Sequence, residues 1–597
     1  MQKTAEIENI RHSFAHVLAA AVKKFYPKVE LGIGPVIENG FYYDFKNIKI
    51  TDEDLPRIEE EMRKIAAGNH AFKKELWTSQ KAIAYFKKLK QPFKLELVKD
   101  LKTKKVGMVY TGDVFLDLCR GGHVKNTKEL PLDSFKLTST AGAYWRGNEK
   151  NPMLTRIYGV AFSTKKELDQ YLWQQEEAKK RDHRKLGKEL DLFTFSDLVG
   201  PGLPLWTPKG TVIREELEKF AKETETKWGY QRVATPHIAR RKLFEKSGHL
   251  GPPGSKGYYG DYIFPGMSVR DADSERKVDE EDVRYYLKAM NCPMTMEMFG
   301  QKPHSYREFP VRLAEYGTVY RYEDAGVLTG LLRVRGFTQN DAHIFCREDQ
   351  LEDEFVNVMK LHEYYYRDIF GIKDYYVRLS LRDRSKKDKF GGNDAIWKKA
   401  ESIIRSAIKK SGVPFQEAIG EASFYGPKAD FQIKSVIGKE ETASTNQIDF
   451  IMPARFKLTY VGQDGKDHPV VVIHRAPLGS HERFIAFLIE HYAGAFPLWL
   501  APEQIWILPI SDKFSAYAKD VRQKLLKLSE DLRVRVNDEN ETLGKRIRQG
   551  ETMKIPYLLI VGEREMSNNT ISVRERGKGD TGSMELEQFI EKIRKVW

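Results

Sequence analysis

RVRGFTQNDAHIF, residues 333–345, is the stretch on which the reading of this chain turns. It is strongly β-prone, as are GTVYRYE (317–323) and PVVVIHRA (469–476), and helical stretches lie between them. The block 191–501 therefore reads as one strand-rich domain with interspersed helices. Within it, residues 253–282 are rich in Gly, Asp and Ser with little apolar content, and are expected to form a mobile insertion.

Upstream, KKELDQYLWQQEEAKKRDHRKLGK (165–188) is densely charged with apolar residues at helical spacing, which predicts a solvated linker helix over 165–190. Residues 1–164 mix helical and strand-like pieces. In HSFAHVLAAAVKKFY (12–26), Phe14, Val17, Leu18, Ala21, Val22 and Phe25 share one helix face, and GIGPVIENGFYYDF (32–45) reads as strand, turn, strand. Downstream of Pro502, QIWILPI, LRVRVN and YLLIVG alternate with amphipathic helices, the pattern of a small α/β domain over 502–597. The expected class is multidomain α+β.

The chain has 597 residues, 41% hydrophobic and 31% charged, enough apolar side chain for several cores and too much for wholesale disorder. No apolar run approaches the roughly 20 residues that span a bilayer, so no membrane partner is expected. The first 25 residues show no signal-peptide core. Three cysteines exclude a disulfide scaffold and fit a reducing, cytoplasmic setting. A GxxxxGK[ST] loop is absent, which argues against a P-loop NTPase. Lys and Arg exceed Asp and Glu by 99 − 85 = 14, and a basic protein of this size is a candidate for a polyanionic partner.

Two groups of histidine and cysteine stand out. His12 and His16, at i and i+4, lie opposite the apolar stripe of the first helix, beside Ala19 and Ala20, and are expected outside the core. Cys119 and His123 follow in DLCRGGH. These four read as a zinc set, as a metal-free pocket in which imidazoles activate water, or as a solvent-facing pair with an unrelated cysteine. Cys292, His343 and His474 are too far apart in sequence for spacing to group them.

The runs YRYE (320–323), RVRGFTQNDAHIF and HRAPLGSHERF (474–484) resemble the signature motifs of class II aminoacyl-tRNA synthetases. Together with NCP, FYGPK, HSFAHVLAAA and DLCRGGHV, they resemble the threonyl-tRNA synthetase family over nearly the whole chain. The resemblance implies an antiparallel class II catalytic sheet, an amino-terminal editing domain and a carboxyl-terminal anticodon-binding domain. It also implies a homodimer formed around 211–237, with Pro236 at the dimer-motif position. The implied activity is ATP-dependent attachment of threonine to tRNA, with Mg²⁺ on the phosphates and hydrolysis of mischarged seryl-tRNA.

Residue roles follow from the same resemblance. Arg321 contacts the α-phosphate and the amino-acid carboxylate; Arg333, on the returning strand, and Arg483 contact the triphosphate. Planar guanidinium groups suit such paired anions. Cys292, His343 and His474 hold one zinc ion, and Asp341 accepts the threonine hydroxyl proton. Met290, Gln339, Tyr425, Lys428, Gln447 and Ser480 match other pocket positions. His12, His16, Lys94, Asp117, Cys119 and His123 line a metal-free editing pocket. Asn540, Glu565 and Arg574 match positions that read anticodon bases.

Three departures from the family pattern are visible. The sequence starts almost directly at the editing-like segment, so the ubiquitin-like domain usual at the amino terminus of bacterial members is expected to be missing; Thr442 stands where many members carry a Gln that helps to seat the nucleotide, and CRGGH lacks the Pro that often precedes its His. None removes a catalytic group, and the intact arginines and zinc triad weigh against an RNA-binding paralogue or a free-standing editing hydrolase.

Overall fold

A computed structural model describes residues 2–252, 257–268, 284–386, 389–435, 438 and 440–595. The chain divides into two compact units, Met1–Glu176 and Glu177–Trp597. The boundary falls inside the helix Lys165–Arg181.

In the first unit, Val36–Ile37 and Gly40–Lys46 form the expected hairpin, part of a five-stranded sheet with Glu30–Leu31, Met153–Ala161 and Phe135–Tyr144. A separate three-stranded sheet joins Phe72–Thr78, Lys105–Thr111 and Phe115–Leu118. The first helix, Gln2–Phe25, is buried without a break from Ser13 to Val22. The expected exposed face is therefore absent at His16, whereas His12, just before this stretch, stays partly exposed. His16 is 2% exposed, and its ring meets the edges of Phe72 and Phe115 from the second sheet. The apolar stripe of the helix faces Phe41 and Phe135 of the first sheet, so the helix is sandwiched. Ala19 and Ala20, read as flanking an open face, are the small residues that let the backbone pack closely.

The second unit is built on an eight-stranded sheet in the order Gln231–Arg232, Val311–Tyr320, Gly336–Cys346, Val471–Ala476, Glu440–Asp449, Lys428–Lys434, Tyr375–Leu381 and Phe415–Ile419. Only the outermost pairs are parallel. Side chains alternate along a strand, which sorts the central run into two faces. Ala342 and Ile344 join Ile448 and Ile473 under the helices Pro208–Lys227, Leu351–Glu363, Asp394–Ser411 and His481–His491, where Ile213, Phe355, Ile404 and Ile485 are fully buried. Each such side chain contributes roughly 1.5–3 kcal/mol of burial energy. Gln339, Asp341 and His343 occupy the opposite face.

The linker differs from the single solvated helix expected over 165–190. It breaks at Asp182, whose side chain accepts from Arg184 N–H and starts a second helix, His183–Glu189. His183, Leu186 and Gly187 of that helix are buried. Of the expected insertion 253–282, residues 253–256 and 269–282 lie outside the described residues. The described part, 257–268, is not a loose appendage, because Tyr258 and Tyr259 line a cleft of the second unit together with Arg321 and His474.

At the carboxyl terminus, Ile505–Pro509, Val534–Val536 and Tyr557–Val561 are parallel, as the strand-helix alternation predicts. Two further antiparallel strands, Thr570–Glu575 and Gly579–Glu585, complete the sheet.

Candidate functional site

Strand register assembles the first cluster. His343 lies directly across from His474, His474 across from Gln447, and Gln447 across from Lys428. Directly opposed residues share a face, so four side chains from four strands form one row. Cys292, followed by Pro293 at the start of the helix Cys292–Phe299, joins this row. The ligand atoms of Cys292, His343 and His474 all lie within 4.8 Å of one another.

The chemistry of the three suits a metal ion. His343 Nε2 is buried without a hydrogen-bond partner, and burial holds its imidazole well below the ordinary range, hence neutral. His474 Nε2 lies 3.0 Å from Asp449 Oδ2, which fixes the proton on Nε2 and leaves the lone pair on Nδ1. Burial, then Asp341 and Asp449, push the Cys292 thiol well above its usual range, so a thiolate there calls for a bound cation. Asp341 accepts from Asn291 Nδ2 at 3.1 Å, and burial raises its carboxyl to about 6.

The same cleft, of about 510 Å³, is lined by Arg321, Arg333 and Arg483. Arg321 follows the strand Val311–Tyr320; its Nε donates to Ala289 O at 3.2 Å and its guanidinium lies 5.0 Å from the Phe337 ring centroid. Arg333 does not stand on the returning strand, as expected, because that strand begins at Gly336. It closes a tight turn by donating its N–H to Thr329 O at 3.3 Å, and its side chain pairs with Glu323 at 2.8 Å. Arg483 Nε donates to Leu332 O at 3.1 Å. Burial foremost, then Arg321 and Arg333, lower the Arg483 guanidinium from its ordinary range. Neither Arg321 nor Arg483 forms an ion pair with a described residue. Three arginines thus line one cleft, and Arg333 alone among them is ion-paired with a described residue, an arrangement able to take up a polyanion.

Some expected pocket residues are already engaged. Lys428 Nζ donates to the buried Asp430 at 2.6 Å, and Gln447 Oε1 accepts from Ser423 Oγ at 2.8 Å. Ser480 Oγ caps the helix His481–His491, accepting from Arg483 N–H at 3.3 Å. Thr442 Oγ1 pairs with the side chain of Gln432 on the neighbouring strand. Met290, Gln339 and Tyr425 line the cleft, with the Tyr425 ring 5.1 Å from that of His474. His249 and Tyr259 also line it and were not picked out by sequence. His249 sits beside the Gly- and Ser-rich segment, in a stretch with no strand periodicity to flag it.

The first unit holds the second cluster. Ligand atoms of His12, His16, Cys119 and His123 also lie within 4.8 Å of one another. Ser13 Oγ donates to Asn9 O and therefore accepts from His123 Nδ1 at 3.2 Å. His12 Nδ1 donates to Gly122 O at 3.2 Å. Both rings thus turn an Nε2 lone pair toward Cys119 Sγ, at 3.5 Å for His12 and 3.2 Å for His123. Burial keeps all three imidazoles neutral, pushing His123 to about 2. Beneath them, Lys94 and Asp117 form a buried ion pair at 2.7 Å, and Tyr43 bonds to both. Ser13 and Tyr43 were not anticipated; both sit in runs that read as core packing.

Comparison with known proteins decides the family. Residues 274–492 match the tRNA synthetase class II core domain (G, H, P, S and T), 504–596 an anticodon binding domain, and 106–158 the threonyl and alanyl tRNA synthetase second additional domain. A threonine–tRNA ligase of Gloeobacter violaceus is 49% identical over 98% of this chain and 91% of its own length. One of Anoxybacillus flavithermus is 47% identical over 99% of this chain and 88% of its own. The chain belongs to the threonyl-tRNA synthetase family. A crystal structure of the RNA binding domain of threonyl-tRNA synthetase from Cryptosporidium parvum is 33% identical with a TM-score of 0.63, covering 70% of this chain and 98% of that one.

In this synthetase the residues expected to read the anticodon are only partly gathered. Asn540 and Glu565 lie in segments that follow the carboxyl ends of the parallel strands Val534–Val536 and Tyr557–Val561, hence at one edge of the sheet. Asn540 is exposed. Glu565 caps its own helix through Gly562 N–H at 3.0 Å and accepts from Ser572 Oγ at 3.0 Å. Arg574 lies across from Leu558, toward the other end of that strand, and pairs with Glu551 at 3.1 Å. Among the described residues, no helix is long and apolar enough to cross a membrane.

Proposed function

We propose that this threonine–tRNA ligase selects its amino acid at the Cys292, His343 and His474 cluster and activates it in the arginine-lined cleft beside that cluster. The reading rests on one observation above all: the metal-type cluster Cys292, His343 and His474 adjoins a cavity lined by Arg321, Arg333 and Arg483, of which only Arg333 is ion-paired with a described residue. Two anions, the amino-acid carboxylate and the ATP α-phosphate, must be held together for activation. Arg321 grips both, Arg333 takes the γ-phosphate, and Arg483 holds the bent triphosphate that Mg²⁺ accompanies. Cys292, His343 and His474 would hold a zinc ion, which when bound would supply a Lewis-acidic centre for the threonine amino and hydroxyl groups. Asp341 accepts the hydroxyl proton, and Gln339, Met290, Tyr425, Gln447, Ser480 and Lys428 shape and position the pocket around it. Valine is excluded because it would leave these polar partners unpaired.

Serine keeps the hydroxyl, and a missing methyl is worth only about 1–3 kcal/mol, so a second sieve is required. We assign it to His12, His16, Lys94, Asp117, Cys119 and His123, as a metal-free pocket whose neutral imidazoles position and activate water on seryl-tRNA. Domains 1–164, 191–501 and 502–597, joined by the linker 165–190, then serve editing, activation and anticodon binding. The outermost strand Gln231–Arg232, followed by exposed Pro236, offers an open edge to a second copy in a homodimer, and the setting is cytoplasmic.

Metal analysis separates the two clusters. The purified protein should carry about one zinc per chain, lost in Cys292→Ser and retained in Cys119→Ala. Two zinc ions, with the second removed by Cys119→Ala, would contradict the metal-free editing pocket. At the far end, Arg574→Ala should weaken tRNA charging by roughly 1–3 kcal/mol and leave ATP–pyrophosphate exchange intact. Equal losses in both assays would remove the anticodon role.

A further inference from the structure

We infer that His183, in the second linker helix, is a positioning residue for ATP binding that fixes the loop and the helix carrying Arg333 and Arg483. The inference rests on the reading that these two arginines hold the triphosphate. His183 is 2% exposed and both ring nitrogens are engaged. Leu331 N–H reaches Nε2 at 3.1 Å, and a backbone amide can only donate, so Nε2 carries the lone pair. The proton therefore sits on Nδ1, which donates to Glu490 Oε1 at 2.8 Å. The same carboxylate oxygen accepts from His183 N–H at 3.3 Å. Asp182, His183 and Glu490 are close enough together to hold an ion, but a ring with both nitrogens committed is a bridge and not a ligand.

The bridge is aimed at the arginines from two sides. On the loop side, Leu331 is followed by Leu332, whose carbonyl holds Arg483 Nε, and then by Arg333 itself. The turn 329–333 closes through Leu332 N–H and Arg333 N–H on Thr329 O, at 2.9 and 3.3 Å. On the helix side, Glu490 is in the last turn of His481–His491, two turns below Arg483. The neighbouring Arg181 donates to His491 O at 3.2 Å, placing a cation at the carboxyl end of that helix. Gly330 completes the fit. It has φ of +48°, and a Cβ there would lie 2.2 Å from His183 Nε2. Any side chain at 330 would push the imidazole off Leu331.

His183→Asn retains a donor near Nδ1 for Glu490 and loses the acceptor for Leu331. In pyrophosphate exchange it should raise the KM for ATP roughly tenfold, about one hydrogen bond's worth of position, with the KM for threonine within about twofold of the parent. Gly330→Ala should do the same, and its effect should be smaller on a His183→Ala background than in the parent, because the approach to the imidazole is then gone while the approach to Arg184 Cγ and the strain at φ +48° remain. Arg333→Ala is measured alongside. If it leaves ATP binding intact, the triphosphate reading fails; if it impairs ATP binding while His183→Asn and Gly330→Ala do not, the bridge alone is wrong. Equal rises in both KM values, or full additivity in the double variant, would also overturn the inference.

Discussion

Replacing His12 and His123 together by alanine should slow deacylation of preformed seryl-tRNA by roughly 10²-fold or more, while threonine activation is unchanged. Both rings aim an Nε2 lone pair into the Cys119 cluster, held there by Gly122 O and Ser13 Oγ, and neither is fully buried. Their removal therefore takes away the neutral ring nitrogens that would orient and polarise water, without opening the core. His16 is the wrong choice for this test. It is enclosed by Phe72, Phe115 and His123, and truncation there would leave a cavity costing on the order of 2 kcal/mol or more. A double variant that clears seryl-tRNA within about threefold of the parent rate would place editing elsewhere.

Arg321→Ala should reduce pyrophosphate exchange by roughly 10²–10³-fold, with the melting temperature close to that of the parent. The guanidinium makes one hydrogen bond, to Ala289 O, and no ion pair with a described residue, so little of the fold depends on it. Its neighbours argue for function instead. Burial first, and then repulsion from Arg321 and Arg333, lower the Arg483 guanidinium, and a bound triphosphate would relieve that repulsion. Arg321→Lys should recover little, because an ammonium cannot make the paired contacts of a planar fork. A variant that keeps near-parental exchange, or whose loss tracks a loss of folded protein, would remove Arg321 from the chemistry.

Much of the fold was legible in the sequence because periodicity reports burial directly. Gly336–Cys346 and Val471–Ala476 were visible as β-prone runs, and their register then placed His343 against His474 with no further information. The spacing of 131 residues between those histidines carried no such message; only pairing of the strands did. The linker was misread for the opposite reason. RDHRKLG is charged enough to look solvated, yet Arg184 and Asp182 satisfy each other at the surface while His183 and Leu186 turn inward. In the first helix, the stripe Phe14, Val17, Leu18 was read correctly as core, but two sheets enclose that helix, and a helical wheel counts only one apolar face. His16 is buried on the side that composition left open. Arg333 fell in a turn rather than on a strand because Thr329 and Gly330 close the loop before Gly336 begins the ladder.

ATP–pyrophosphate exchange against a panel of amino acids bears most directly on the central claim, that a hydroxyl-reading site at Cys292, His343 and His474 is coupled to the arginine cleft. Threonine should support rapid exchange and serine weaker exchange, within the roughly 10- to 200-fold that one methyl commands. Valine should be silent, at roughly 10⁴-fold below threonine, because it offers no hydroxyl to the polar groups of the site. Valine activated within about tenfold of serine would mean that the pocket reads shape alone, and the account of this site would be wrong.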